Sequence, residues 1–146
     1  MANSYHQGQY KPINPQKYVG TYPIYFRSSW ELKVMMKFDT HPNVSSWASE
    51  SLKIPYQNPF TGKYTVYIPD FLVTYMDANG NTKAEIIEVK PAKETFFEQA
   101  KTAKNQASAI LNACKWQAAR IFASQHGMEF RIINENHIFN NPKRKA

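Results

Sequence analysis

The sequence is poor in cysteine and in long apolar runs. Cys114 is the single cysteine, so no disulfide can form within the chain and a cysteine-based zinc site is excluded. No apolar run approaches the ~20 residues that a membrane-spanning helix needs, and residues 1–18 lack the apolar stretch of a signal peptide. We therefore expect a soluble, intracellular protein from a reducing compartment, or one that joins an assembly built inside a cell.

Acidic residues are also scarce. The chain has 11 Asp and Glu residues and 18 Lys and Arg residues, which gives a net charge of +7. This excess favours a polyanionic partner such as nucleic acid, while a basic protein without any special partner is the alternative from charge alone. A hydrophobic content of 42%, with 14% aromatic residues, suffices for a packed core in one domain.

Turn and capping signals divide the 146 residues into segments. Ser28, ahead of an apolar-periodic run, predicts a helix N-cap, and Gly127 predicts the end of a second helix. Residues 1–21 predict an extended arm without helical or strand periodicity, residues 22–139 a single domain, and residues 140–146 a basic tail. Within the domain the predicted elements are a helix at 29–39, strands at 44–54, 63–68 and 71–76, a turn at 77–81, a strand at 83–90, a helix at 93–124 and a last strand at 130–133. This order predicts an α/β or α+β fold with helices against a central sheet.

Two acidic residues fall on neighbouring predicted strands. Side chains alternate along a strand, so Glu88 and Lys90 share one face, while Ile87 and Val89 point to the other. Asp70 precedes the strand that the turn pairs with this one, and the pairing brings it beside Glu88. Two half-buried carboxylates repel each other, and a hard divalent metal ion relieves that cost. The pattern predicts Mg²⁺ or Mn²⁺ held for phosphodiester hydrolysis, with Lys90 orienting water or stabilising charge in the transition state.

A third carboxylate, Glu31, lies near the start of the first predicted helix. We predict that it completes the site at a second metal position or in the water shell around the metal. The alternative is an acidic residue favoured by the helix dipole alone. The alternative for Glu88 and Lys90 is an ordinary exposed pair, because Glu and Lys are common on the solvated faces of strands.

These residues resemble the motif of the PD-(D/E)xK nuclease superfamily. The matching residues are Pro69-Asp70 and Glu88-Val89-Lys90, with the two acids 18 positions apart, and Glu31 in the place of the family's early glutamate. Across residues 22–125 the chain is also similar to two smaller groups, the end-cleaving endonuclease subunit of certain transposons and the head-completion nuclease of contractile-tailed phages. That wider similarity rests on residues 27–31, Trp47, Glu50 and residues 54–56, 67–71 and 87–91.

The resemblance implies a restriction-endonuclease-like core of four mixed strands flanked by helices. It implies Mg²⁺ dependence, with Mn²⁺ as a substitute, and a metal bound by Asp70, Glu88, Val89 and Glu31. Glu31, Asp70, Glu88 and Lys90 are then the catalytic residues. For the phage relatives it also implies action on the genome end during head maturation.

We therefore expect a metal-dependent DNA nuclease of a tailed phage that acts on DNA ends in head completion, before tail joining. Its partners are DNA and phage head or neck proteins, and its location is the host cytoplasm during assembly or the virion. Two alternatives stay open: a transposon- or restriction-type endonuclease that works with partner proteins, and a structural head–neck protein that retains the nuclease fold.

Several basic residues are candidates for contact with DNA phosphates. They are Arg27, ahead of the first helix, and three lysines on the polar face of the long helix, Lys101, Lys104 and Lys115. Solvated side chains are the alternative for all four. We expect a structural or surface role for Glu50, solvent exposure for Glu85, and core packing for Cys114.

Overall fold

The computed structural model describes residues 7–90 and 103–134. In these residues it contains eight strands, two α-helices and a short 3-10 helix at Pro15–Lys17. The strands are β1 (Gly8–Tyr10), β2 (Ile24–Phe26), β3 (Val44–Ser49), β4 (Ile54–Gln57), β5 (Tyr64–Tyr67), β6 (Phe71–Met76), β7 (Thr82–Val89) and β8 (Glu129–Ile133). The helices are α1 (Ser29–Thr40) and α2 (Ala103–Gln125). Neither helix has a stretch that is long and apolar enough to cross a membrane.

A mixed sheet of four strands forms the centre of the fold. Its order is β3-β6-β7-β8, with the first two pairs antiparallel and the last pair parallel. The predicted turn joins β6 to β7: the Asp77 carboxylate accepts hydrogen bonds from the backbone N–H groups of Asn79 and Asn81, and Gly80 adopts a positive φ of 83°. The central mixed sheet and the α+β class are thus confirmed.

Helix α1 covers one face of this sheet. Ser28 caps its N-terminus as predicted, with the Ser28 side chain accepting a hydrogen bond from the backbone N–H of Glu31. Phe38 packs edge-on against Phe71 of β6 and tilted against Trp47 of β3. The apolar stripe of α1 therefore fixes the helix against β3 and β6.

Helix α2 and the β4–β5 hairpin share the opposite face. Trp116 and Ala119 of α2 pack with Ile86 of β7 and with Tyr67 of β5, and the predicted core residue Cys114 lies half-buried against the same cluster. Gly127, at φ 71°, follows the helix as the predicted stop signal. The part of the predicted helix that precedes residue 103 lies outside the described residues.

One predicted strand proves to be two. The alternation across residues 44–54 indicated a single strand, but β3 ends at Ser49 and β4 begins at Ile54 in a separate two-stranded sheet. Glu50 interrupts the path with a positive φ of 51°, which extended strands do not contain. The single-strand prediction was wrong because the alternation of apolar and polar residues on both sides of Glu50 is compatible with one continuous strand.

The predicted N-terminal arm differs from what the structure shows for residues 7–21. Strand β1 pairs with β2, and the side chain of Tyr18 is buried in the core on the α1 face. Asp39, completely buried in α1, accepts hydrogen bonds from the Tyr10 hydroxyl and from the backbone N–H groups of Ile13 and Asn14. These contacts join residues 25 to 29 positions apart, so local periodicity contains no sign of them. Residues 1–6 and the basic tail lie outside the described residues.

Candidate active site

The hairpin of β6 and β7 brings Asp70 and Glu88 together. Phe71 pairs with Ile87 in this ladder, so Asp70, one residue earlier, falls opposite Glu88, one residue later. The backbone N–H of Val89 donates a 2.8 Å hydrogen bond to Asp70 Oδ2 and so fixes the orientation of that carboxylate. Leu72 and Ile86, which lie two positions along their strands from Asp70 and Glu88, pack on the α2 face of the sheet. Because side chains alternate along a strand, the two acids belong to the same face. The predicted neighbourhood of the two acids is therefore present.

Burial and the charges of neighbouring acids disfavour the charged form of both carboxylates. Glu88 is only 9% exposed. Burial is the main cause that raises the pKa of Asp70 well above its ordinary value, and the nearby charges of Glu88 and Glu31 raise it further. Burial likewise raises the pKa of Glu88. Lys90 opposes both shifts, which places its ammonium group within electrostatic reach of the pair.

Glu31 belongs to the same electrostatic environment. Burial raises its pKa, a hydrogen bond from the backbone of Arg27 lowers it, Glu50 raises it and Lys90 lowers it. The Glu31 carboxylate accepts that 2.9 Å hydrogen bond from the Arg27 N–H, just outside the helix. Glu31 thus joins the first turn of α1 to the residue ahead of the Ser28 cap, and its charge also acts on Asp70 and Glu88.

Arg27 is engaged by Glu50. Its Nε and Nη2 groups both donate 2.9 Å hydrogen bonds to the Glu50 carboxylate in a bidentate pair. The backbone N–H of Glu50 in turn donates to the carbonyl oxygen of Asp70 at 2.9 Å. Glu50 therefore has a structural role beside the site, joining the loop that contains Arg27 to the strand end at Asp70.

Two residues around Glu88 add contacts that the sequence did not indicate. The Tyr67 hydroxyl donates a 2.5 Å hydrogen bond to Glu88 Oε1. Lys115 of α2 places its ammonium group 5.9 Å from the centre of the Tyr67 ring and lowers the pKa of Glu88. No periodicity distinguishes Tyr67 from its neighbours, because the partner lies 21 residues away.

Glu85 lies on the other side of the sheet and is not solvated as predicted. It is 6% exposed, accepts a 2.6 Å hydrogen bond from Tyr75, and forms a 3.0 Å ion pair with Arg131 of β8. The prediction was wrong because both partners come from neighbouring strands. Glu85 is therefore a structural carboxylate separate from the Asp70–Glu88 pair.

The structure describes the side chains of two of the four predicted phosphate-binding residues. The Arg27 side chain is 61% exposed beside Glu50, and Lys115 lies near Glu88. Lys101 and the side chain of Lys104 lie outside the part of the chain that the structure describes. Contact of any of these residues with DNA stays a prediction.

The donor set at the site suits a hard divalent cation. Asp70 and Glu88 are paired carboxylates whose repulsion such a cation would relieve. In the described residues, no three His, Cys, Asp or Glu side chains form a ready group of metal ligands. This is compatible with Mg²⁺, which is commonly held by one or two carboxylates and keeps water and phosphate oxygens as its other ligands. Ligation by Val89, which requires its backbone carbonyl, stays a prediction.

Comparisons with known proteins point to the same part of the chain. The family model described as TnsA-like endonuclease N terminal matches residues 41–135. This range contains Asp70, Glu88 and Lys90 but excludes Glu31. The head completion nuclease of Enterobacteria phage T4 is 32% identical over 143 residues, which cover 90% of this chain and 92% of that protein. The chain therefore belongs to the TnsA-like endonuclease family.

Proposed function

We propose that this protein is a metal-dependent DNA nuclease that hydrolyses phosphodiester bonds at DNA ends during phage head completion. The observation that carries the proposal is the burial of the Asp70 and Glu88 carboxylates side by side, with Lys90 within electrostatic reach of both. A fold stabilised by local packing alone has no reason to keep two repelling acids at a strand end. Membership of an endonuclease family supports the same conclusion.

Each residue of the site has a proposed role. Asp70 and Glu88 would hold the cation, and Glu31 would act at a second metal position or in the water shell around the metal. The Val89 N–H keeps the Asp70 carboxylate in place. A bound Mg²⁺ or Mn²⁺ would polarise the scissile phosphate and lower the pKa of a water molecule. The Lys90 ammonium group orients the attacking water or stabilises the negative charge that develops on the phosphate oxygens.

The place in head completion rests on the phage relative. The similarity to the T4 head completion nuclease extends over nearly the whole of both chains. We infer that the protein acts on the DNA of a filled head before tail joining, in contact with head or neck proteins. Its place of action is then the host cytoplasm during assembly, and assay of mature particles for the chain tests whether it is retained in the virion.

A cleavage assay on linear and circular duplex DNA tests the activity. Wild-type protein is expected to cleave with Mg²⁺ or Mn²⁺ and to be inactive with EDTA, whereas Asp70→Asn and Glu88→Gln lose cleavage by about 100-fold or more. Glu85→Gln is the matched control, because it changes a buried carboxylate of the same strand on the opposite face. Metal-stimulated cleavage by the Asp70→Asn protein at the wild-type rate would refute the proposal.

The match to the TnsA-like family favours a second candidate, an endonuclease that needs partner proteins. Purified protein alone would then bind DNA without cleaving it, and cleavage would appear on addition of the proteins encoded beside it. If neither condition produces metal-stimulated cleavage and the chain is recovered in mature particles, a structural role at the head–neck junction replaces both candidates.

A further inference from the structure

The β4–β5 hairpin exposes a row of apolar side chains next to the candidate site. Tyr64, Val66 and Ile68 follow one another on the side that faces away from α2, and Pro55 lies beside Val66 in the ladder. With Phe60 at the tip, these five residues are called here the outer face of the hairpin. Tyr64 is 77% exposed and Phe60 is 57% exposed, which is unusual for aromatic rings that serve packing.

We propose that this outer face binds unpaired nucleobases of the DNA strand that enters the active site, by stacking on Tyr64 and Phe60. The proposal rests on the proposed nuclease function and deepens it by naming a substrate feature. Aromatic rings on an exposed strand, accompanied by basic residues, are a common platform for single-stranded nucleic acid, since every base offers a π-face.

Charge favours nucleic acid as the occupant. Residues 51–69 contain Lys53 and Lys63 and no acidic residue. Lys63 directly precedes Tyr64, so a cation accompanies the most exposed ring. Apolar contact together with positive charge matches a base joined to its phosphate, and the net charge of +7 for the whole chain acts in the same direction.

The hairpin is rigid enough to serve as a platform. At its tip the Asn58 side chain accepts hydrogen bonds from the backbone N–H groups of Phe60 and Thr61, at 2.8 and 3.2 Å. The Asn58 N–H donates to the carbonyl of Lys63, and Gly62 takes the positive φ that this turn requires. Few conformations of the tip are therefore lost when a base stacks on it.

The hairpin is also connected directly to the catalytic pair. Tyr67 packs inward from the same strand and hydrogen bonds to Glu88, and residues 68 and 69 lead straight to Asp70. Tyr64 precedes Asp70 by six residues, which is at most about 20 Å of extended chain. That length corresponds to about six base steps of stacked DNA. The bases that contact Tyr64 therefore belong to the nucleotides nearest the scissile phosphate.

Fluorescence anisotropy in EDTA tests the proposal without cleavage. The probes are a labelled duplex with an unpaired extension of about ten nucleotides, enough to cover one stacking platform, and the same duplex with blunt ends. We expect wild-type protein to prefer the extended duplex, and the Phe60→Ala, Tyr64→Ala double variant to bind it at least about five-fold more weakly, the lower limit for losing one stacked base. The blunt duplex is expected to be affected less.

Single substitutions separate stacking from general apolar contact. Tyr64→Phe keeps the ring and is expected to bind like wild type, whereas Tyr64→Leu keeps apolar area and is expected to bind as weakly as Tyr64→Ala. Met36→Ala, which removes an exposed apolar side chain from α1, is the control and is expected to have no effect. Circular dichroism of each variant verifies that it is folded.

Two results would overturn the inference. One is equal binding of both duplexes by wild type and the double variant. The other is a wild-type dimer, detected by sedimentation, that Tyr64→Ala dissociates, because the outer face would then be an interface between two copies of this chain. The metal-dependent cleavage of blunt DNA distinguishes failure of this inference from failure of the proposed function, since that cleavage persists in the first case and is absent in the second.

Discussion

The Tyr67 hydroxyl donates a hydrogen bond to Glu88 across the face of the sheet that α2 covers. Tyr67 is buried, and Lys115 of α2 lies over its ring. The hydrogen bond engages one carboxylate oxygen of Glu88, Oε1, and restricts rotation of the side chain. Tyr67 is therefore a positioning residue for a carboxylate that we propose to hold the metal.

Removal of this hydroxyl is expected to weaken metal binding. Partners that orient a metal ligand contribute about 10- to 100-fold in metal affinity or activity. Tyr67→Phe should therefore need at least about ten-fold more Mg²⁺ for half-maximal cleavage, with the maximal rate less affected. The measurement is cleavage against Mg²⁺ concentration, with Tyr75→Phe as a control for loss of a tyrosine–glutamate hydrogen bond on the other face. An unchanged Mg²⁺ requirement would assign Tyr67 to packing alone.

Asp70→Asn is expected to stabilise the metal-free protein. Since burial and Glu88 raise the pKa of Asp70 above its ordinary value of 3.8, the folded state binds this proton more tightly than the unfolded state. The folded protein therefore loses stability as pH rises above about 4. We expect a gain of about 1 kcal/mol in the free energy of unfolding at neutral pH, which is typical of a substitution that removes a destabilising interaction from an active site.

Urea unfolding in EDTA at several pH values measures this gain. The stability difference between Asp70→Asn and wild type should increase from about pH 4 toward neutral pH, and Mg²⁺ should reduce it by stabilising the wild type alone. A variant that is less stable than wild type throughout would contradict the electrostatic description of the site.

Asp39→Asn is expected to destabilise the fold. The Asp39 carboxylate, completely buried, accepts hydrogen bonds from Tyr10, Ile13 and Asn14. Burial raises its pKa, but these hydrogen bonds together lower the pKa below the ordinary value of 3.8. Its contribution is thus complete above pH 3.8 and is lost as pH falls through the lowered value.

The amide side chain of the Asp39→Asn variant would retain one acceptor oxygen in place of two, so we expect a loss of about 2 kcal/mol at neutral pH by thermal or urea unfolding. Asp77→Asn is the matched control, because in that exposed turn a single oxygen accepts both hydrogen bonds and an amide oxygen can replace it. Equal stability of the two variants would contradict the role given to Asp39.

Arg27→Ala tests whether Arg27 contacts DNA or serves only the pair with Glu50. A guanidinium has five N–H donors, and Glu50 accepts from two groups of Arg27. We expect the slope of log binding constant against log salt concentration to decrease in magnitude by about 0.9, the value for one lost phosphate contact. Lys83→Ala is the control for net charge, because Lys83 lies at the end of β7 that is remote from Glu88. An unchanged slope would confine Arg27 to its pair with Glu50.

Much of the fold was predictable because its signals are local. The Ser28 cap, the Asp77–Asn81 turn and the stop at Gly127 are short-range features, and each occupies its predicted place. The site was partly predictable for the same reason. Strand alternation and a tight turn suffice to place Asp70 opposite Glu88. The interruption at Glu50 was not predictable, since one residue at a positive φ leaves the hydropathy pattern unchanged.

By itself, the sequence determined the two amphipathic helices, the β6–β7 hairpin and the meeting of two acids at its open end. The tertiary structure alone decided which polar groups are buried and what partners they have: Tyr67 for Glu88, Tyr75 and Arg131 for Glu85, and Tyr10 for Asp39. Periodicity reports the face on which a side chain lies. The partner that it meets there depends on strand order and helix placement, because the contacting residues are 10 to 46 positions apart.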